Sequence, residues 1–89
     1  MAVLMTAHIA GGTQEMIDGM QPLLEPIRAT KGFVIHTNGP TPGGWRVVEV
    51  WDSLGDFEAW FEGNVKPAFP EGGPLPTVTI DELNQVVTP

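Results

Sequence analysis

The residues best suited to acid–base chemistry are His36 and Asn38, which stand two positions apart in an otherwise apolar stretch. An imidazole gains and loses a proton near neutral pH, so a histidine can act as a general base without a cofactor. Alternate residues of a strand project from the same face, so the Asn38 amide can orient the ring or hydrogen-bond a substrate carbonyl. The alternative is a histidine that is buried against a neighbour or lies at a subunit interface.

A second candidate for catalysis is His8, in the first apolar segment of the chain. If both histidines lie on one face of a sheet with a strand between them, a spacing of ~4.8 Å per strand places them roughly 10 Å apart. A small ligand bridges such a gap, whereas one metal ion with bonds of ~2.1 Å does not. The chain also has no cysteine, so no metal site is predicted. The structural alternative for His8 is a partly exposed position near the end of its strand.

Glu49 and Arg46 lie on opposite faces of one predicted strand. Glu49 stands between Val47 and Trp51, and it could act as a base or pair with a charge across a subunit interface. Arg46 could anchor an anionic substrate or bond Glu49 of the partner subunit. For both residues, a structural role in ion pairing is the alternative.

Aromatic side chains are numerous enough to line a flat pocket. Those predicted to bind a substrate are Trp51, Trp60, Phe57 and Phe61, with Trp45 and Phe33 as further candidates. Trp51 and Trp60 are large for the core of an 89-residue chain, which favours a cavity wall. Aromatic residues at strand and helix spacing also build cores, so packing alone is the alternative.

The composition excludes several classes of function. A length of 89 residues predicts one domain over 1–89, and the formal charge is −7 with four basic residues. Nucleic acids and anionic membrane surfaces are not expected as partners, because both require clustered Lys and Arg. No apolar run reaches the ~18 residues of a membrane span, and the N-terminus lacks a signal-peptide pattern. Together with the absence of cysteine, these features predict a cytoplasmic protein.

Alternating strands and helices must position the candidate residues. The predicted elements are a strand Val3–Ile9, a helix from Thr13 to Lys31 broken near Gln21, a strand Phe33–Asn38, a turn Gly39–Gly44, a strand Trp45–Trp51, a helix from Ser53 to Gly63, a loop Asn64–Pro76 and a segment from Thr77 to about Val87 that holds the fourth strand. Pro22 and Pro26 break the first helix, because proline removes a backbone donor and clashes with the preceding turn. Thr13 and Ser53 are the predicted N-caps.

The βαββαβ order predicts an α+β, ferredoxin-like fold, in which a four-stranded antiparallel sheet carries two helices on one face. The first and second strands then flank the third. A sheet that is open to water on one side alternates apolar and polar residues, but the first three predicted strands are apolar on both faces. This predicts a homodimer in which a second copy packs sheet against sheet.

One segment of the chain carries a family resemblance. Its residues are Gly32–Phe33, His36, Gly39–Pro40, Gly43–Val48, Glu49–Ser53, Phe57 and Phe61. In these residues the chain resembles the antibiotic-biosynthesis-monooxygenase-like proteins of the dimeric α/β-barrel superfamily. The likeness is close in the middle of the chain and extends to the remainder only in layout.

The resemblance implies a dimeric α/β barrel whose substrate sits between the sheet and the helices of one subunit. It implies an enzyme without a cofactor that oxidises, cyclises or isomerises an aromatic or polyketide-like molecule, with His36 as the base. A non-catalytic dimer that binds a small molecule is the alternative, and a structural accessory domain is a third possibility.

The chain departs from two branches of this superfamily. It contains no tyrosine, so it does not match cyclases that use a Tyr–His pair. Heme-degrading members combine an Asn on the first strand with a Trp and a helical His. Here the first predicted strand carries His8 and neither predicted helix contains a histidine, so heme degradation is not favoured.

Overall fold

The fold has the predicted βαββαβ order. The computed structural model describes residues 1–69 and 75–89. Its strands and α-helices are β1 Val3–Ala10, α1 Gln14–Gly19, α2 Gln21–Leu24, β2 Phe33–Thr41, β3 Gly44–Trp51, α3 Leu54–Trp60 and β4 Thr77–Glu82. The four strands form one antiparallel sheet in the order β2-β3-β1-β4. The ferredoxin-like α+β prediction is confirmed, and β3 lies between β1 and β2 as expected.

The core lies between the helices and one face of this sheet. On β1 the odd-numbered residues from Val3 to Ile9 are buried and the residues between them are only partly covered. Trp51 is fully buried, and its ring contacts the rings of Phe57 and Trp60 with centroids 6.2 and 6.4 Å apart. Burying such a side chain stabilises a fold by about 1.5–3 kcal/mol, so these aromatic contacts hold α3 on the sheet.

The first helical region is broken in the way the prolines predict. Thr13 caps α1 by accepting a hydrogen bond from the Met16 backbone at 3.2 Å, and α1 ends at Gly19. Pro22 stands at the start of α2 and Pro26 at the start of a 3₁₀ segment over Glu25–Ala29. Each proline occupies a position where its missing N–H leaves no helical bond unmade.

The hairpin turn between β2 and β3 differs from the prediction. A six-residue turn over Gly39–Gly44 was expected, but the strands continue to Thr41 and from Gly44, so Pro42 and Gly43 alone form the turn. Gly43 has φ +83°, and proline followed by a glycine of positive φ is the pattern of a type II turn. The expected turn would have paired Asn38 with Trp45, whereas the observed register pairs Asn38 with Val47.

The second helical region runs further than predicted. Ser53 caps α3 by accepting from the Asp56 backbone at 3.1 Å. The predicted end at Gly63 is wrong, because a π-helical segment Phe61–Val65 and a 3₁₀ segment Lys66–Ala68 follow α3 without a break. Much of the loop predicted over Asn64–Pro76 lies outside the described residues, which exclude 70–74. The last strand, β4, covers Thr77–Glu82, within the segment predicted to hold it.

The opposite face of the sheet is uncovered in the described part of the chain. Leu4 and Val50 pair on this face and are partly buried, and Ile35, opposite Val50, is 50% exposed. No helix in the described residues is long and apolar enough to cross a membrane.

A substitution at Gly44 tests the tight hairpin. A Cβ at Gly44 would lie 2.1 Å from the carbonyl oxygen of Ile9, whereas nothing lies within 4 Å of a Cβ at Gly39. We expect Gly44→Ala to lower the free energy of unfolding by roughly 2–3 kcal/mol, and Gly39→Ala to change it by no more than about 0.5 kcal/mol. Urea denaturation followed by tryptophan fluorescence measures both, and equal effects would contradict this close approach.

Candidate functional site

A cavity of about 60 Å³ lies between the sheet and the helices. The sheet contributes Met5, Ala7, Ile9, Val47 and Val78, and the helices contribute Ile17, Met20, Leu23, Leu24, Phe57, Trp60, Phe61 and Val65. Polar groups enter the wall from His36, Asn38 and Glu49 on β2 and β3. The site is therefore an apolar chamber with polar side chains on one side, as is typical of small-molecule pockets.

Short side chains at the centre of the sheet create this space. Ala7 of β1 pairs with Val47 on one side and Val78 on the other, so three small residues lie in a row across the sheet. All three line the cavity, beside the larger side chains of Met5 on β1 and Trp60 on α3. The cavity is thus a consequence of residue size in one register of the sheet.

His36 and Glu49 face each other across β2 and β3 and form a hydrogen-bonded contact. They are register partners, and His36 Nδ1 lies 2.5 Å from Glu49 Oε2. Their side chains are 15% and 5% exposed. The other carboxylate oxygen, Oε1, accepts a hydrogen bond from the Trp51 indole at 2.9 Å. Both oxygens of a buried carboxylate are therefore satisfied, as burial of a charge requires.

The other ring nitrogen of His36 also has a partner. Asn38 Nδ2 lies 3.0 Å from His36 Nε2, and Asn38 Oδ1 accepts a hydrogen bond from the Trp45 indole at 3.0 Å. The five side chains form a continuous row on one face of the hairpin, in the order Trp45, Asn38, His36, Glu49, Trp51. Because an amide N–H donates to Nε2, the neutral ring carries its proton on Nδ1 and donates it to Glu49.

Most of the predicted site residues meet at this cavity. His36, Asn38 and Glu49 supply its polar wall, and Trp60, Phe57 and Phe61 supply part of its apolar wall. Trp51 stands behind the wall: it is fully buried in the core and touches the site through its bond to Glu49.

Two predicted site residues lie elsewhere. His8 and Arg46 are register partners on β1 and β3. Both alternate with the buried residues of their strands, so their side chains project from the uncovered face of the sheet. His8 and His36 therefore lie on opposite faces and form no common site, and the structure brings neither His8 nor Arg46 to the cavity.

Sequence reasoning missed two parts of the site. The pairing of His36 with Glu49 was not predicted, although a two-residue Pro–Gly turn would have placed them opposite each other. The apolar roof from Ile17, Met20 and Leu23 was recognised only as a helical stripe. The signal in the sequence that could have revealed this roof is the pair Pro22 and Pro26. These prolines divide the apolar stripe into short helical segments.

The described residues contain no group of three or more His, Asp or Glu side chains placed to hold a metal ion. His36 and Glu49 are only two potential ligands, and they bond each other.

Comparison with known proteins supports the fold. Neither the family models nor the curated protein sequences gave a match. Among solved structures, the chain is similar to a heme-degrading protein from Mycobacterium tuberculosis, crystallised heme-free with cleaved protein, with a TM-score of 0.69 and 20% identity. The match covers 99% of this chain and 100% of the other. At this identity the likeness concerns the fold alone.

Replacing the Glu49 carboxylate by an amide tests the buried end of this row of hydrogen bonds. Glutamine offers one acceptor to two donors, so Glu49→Gln leaves an N–H of Trp51 or His36 facing another N–H. We expect a loss of about 1–3 kcal/mol in the free energy of unfolding.

Glu62→Gln is the matched control for this change. Glu62 pairs with Lys66 at 3.5 Å, and both side chains are at least half exposed. Such surface pairs contribute about 0–1 kcal/mol, so the control is expected to unfold close to the wild type in thermal and chemical denaturation. Similar losses in both variants would show that the Glu49 bonds have no special role in stability.

Proposed function

We propose that this protein is a cofactor-independent enzyme of the antibiotic-biosynthesis-monooxygenase type. Its substrate is a small aromatic or polyketide-like molecule that binds between the sheet and the helices. The observation that carries the proposal is the His36–Glu49 pair at the edge of an apolar cavity, with a 2.5 Å contact on Nδ1 that leaves Nε2 as the basic nitrogen. A histidine held in this way is equipped to remove a proton from a bound molecule.

The chemistry proceeds through proton transfer to His36 Nε2. Glu49 holds the ring in one orientation and stabilises the imidazolium once the proton has arrived. The substrate carbanion left behind reacts with O₂, forming a C–O bond and a peroxide that recovers the proton from His36. The oxidised carbon of the substrate carries a second hydrogen, and loss of that hydrogen with cleavage of the O–O bond releases water and leaves a carbonyl. The O₂ oxidant enters with the substrate, and the protein supplies the base and the apolar surroundings.

Asn38 and the aromatic wall provide the binding contacts in this proposal. The Asn38 amide is exposed and lies beside Nε2, so it can donate a hydrogen bond to a substrate carbonyl next to the acidic C–H. Trp60, Phe57 and Phe61 present ring surfaces to the same cavity.

The volume of the cavity sets a condition on substrate binding. Ligand pockets typically measure roughly 300–1,000 Å³, compared with the 60 Å³ found between sheet and helices. A ring-containing substrate therefore has to displace the roof, where Met20 and Leu23 are partly buried on short helices. Methionine has flexible rotatable bonds and adapts to such changes.

Heme degradation is not favoured for this chain. His36 is the histidine that lines the cavity, and it lies on the strand β2 and not on a helix. A macrocycle would also exceed the cavity far more than a small aromatic molecule does. The function of the structural neighbour is therefore not transferred.

A non-catalytic dimer that binds a small molecule is the second candidate. Both ring nitrogens of His36 are hydrogen-bonded within the protein. This favours the second candidate, because such a histidine can form part of a pocket wall without reacting. The two functions differ in whether a bound molecule is chemically changed.

We also propose that two copies pack through the uncovered sheet face, in a cytoplasmic homodimer. The row formed by Leu4, Val50 and Ile35 crosses this face, and Ile35 remains half exposed in one chain. Apolar strands on a face without helices gain stability when a second sheet covers them.

The functional proposal is tested first by native mass spectrometry of protein purified gently from its own host. A bound small mass identifies the ligand, and oxygen uptake with that ligand then measures turnover. We expect His36→Ala to reduce kcat by roughly a hundredfold or more, while ligand binding changes little. His8→Ala is the matched control, because His8 lies on the opposite face. Unchanged turnover in His36→Ala would reject the mechanism, and a ligand released unaltered would favour the binding protein.

Introducing a charged residue on the uncovered face of the sheet tests the proposed dimer. We expect the wild type to be a dimer and Ile35→Glu to be a monomer, because a carboxylate at a subunit interface loses its water without gaining a partner. Leu54→Glu is the control, because Leu54 is 42% exposed and is the first residue of α3, on the side of the sheet that carries the helices. Light scattering after size exclusion gives the masses. A monomeric wild type would overturn the dimer.

A further inference from the structure

We propose that Trp45 is a positioning residue that keeps the Nε2 atom of His36 free of a proton. This inference rests on the proposed role of His36 as the base and concerns how that base is held ready. Trp45 does not touch the ring of His36. It acts through Asn38, which bonds the Trp45 indole on one side and the imidazole on the other, each at 3.0 Å.

The direction of these bonds follows from the indole. A tryptophan N–H can only donate, so the Asn38 atom that faces Trp45 must be the oxygen. The amide nitrogen of Asn38 then necessarily points towards His36 Nε2. An amide NH₂ can only donate as well, so Nε2 must offer its lone pair. The indole N–H of Trp45 thus determines, through Asn38, that His36 Nε2 carries a lone pair and no proton.

Glu49 lies 2.5 Å from Nδ1 with 5% exposure, so the ring can act as a base only through Nε2. A fully protonated ring cannot accept a proton from a substrate. The Asn38 NH₂ opposes this, because a proton on Nε2 would face another donor. Rotating the amide to offer its oxygen would turn its NH₂ against the Trp45 indole.

The other surroundings of His36 do not supply this control. From β3 the charged neighbour is Glu49, and from the 3₁₀ segment Glu25–Ala29 the side chain of Arg28 lines the same surface groove as His36 and Asn38. Arg28 is exposed to solvent, which screens its charge. The side chains that α1, α2 and α3 present to the cavity are apolar.

The backbone around Trp45 holds the indole in place. Trp45 and Asn38 are diagonal neighbours on the hairpin, a separation that long side chains bridge. Gly12 packs directly beside Trp45, since a Cβ on Gly12 would lie 2.9 Å from the Trp45 Cβ. The base of the Trp45 side chain is therefore packed beside the end of β1, and its indole N–H is held by the bond to Asn38.

The test reads the protonation of the His36 ring by nitrogen NMR of labelled protein at neutral pH, without any ligand. The wild type is expected to show a protonated Nδ1 and a lone pair on Nε2. Trp45→Phe keeps an aromatic ring but removes the N–H, so Asn38 becomes free to offer its oxygen. We expect the ratio of doubly protonated to neutral ring to rise by roughly fivefold or more, as loss of one hydrogen-bond constraint implies.

Two further variants complete this experiment. Asn38→Asp places an acceptor beside Nε2 and is expected to give a doubly protonated ring, even if Trp45→Phe does not fold. Thr37→Val is the control, since it removes a hydrogen bond of 2.8 Å to the Val48 carbonyl from the same strand but from outside the row. It is expected to leave the ring as in the wild type.

The outcomes separate this inference from the proposed function. A His36 ring that is unchanged in folded Trp45→Phe, or still neutral in Asn38→Asp, would overturn the positioning role. A ring that is doubly protonated in the wild type would overturn it as well. If the ring responds as expected but His36→Ala leaves turnover intact, the positioning role stands and the catalytic proposal fails.

Discussion

Burial of the Glu49 carboxylate is the constraint on which the rest of the site depends. This side chain is 5% exposed and borders the fully buried Trp51. A charge in such a position is tolerated only when each oxygen has a donor. Trp51 supplies one from the same strand, and the second has to come from the residue opposite on β2, which is His36. The hairpin register is therefore a requirement of the electrostatics as well as of the packing.

The order of the elements could be predicted from the sequence because it depends on local signals. Thr13 and Ser53 are N-caps in the structure as predicted, and the prolines break the first helical region where expected. The hairpin turn could not be placed, because Gly39 and Pro40 look like turn residues. In the structure both belong to β2, which is an edge strand and so tolerates a proline without the loss of a sheet hydrogen bond.

The candidate site could be predicted as a set of residues but not as an arrangement. His36 and Asn38 were identified by their types and by their common face, which needs only the two-residue period of a strand. Which face meets the helices could not be decided, because both faces of the first three strands are apolar. For this reason His8 and Arg46 were predicted as site residues although they lie on the other face. The link between Glu49 and His36 depends on the register, and an error of two residues in the turn was enough to hide it.

The polar row and the apolar cavity are coupled through Asn38. Its amide belongs to the row, bonded to the Trp45 indole and to Nε2, and it also lines the cavity. A molecule that carries a carbonyl next to an acidic C–H can take over both contacts, by accepting from the amide and presenting its proton to Nε2. Such a molecule replaces a bond that the protein already makes, so little polar surface loses its partner on binding. A purely apolar molecule in the same cavity makes no such exchange, so under the proposed function this exchange is the physical basis for selecting enolisable compounds over apolar molecules of similar size.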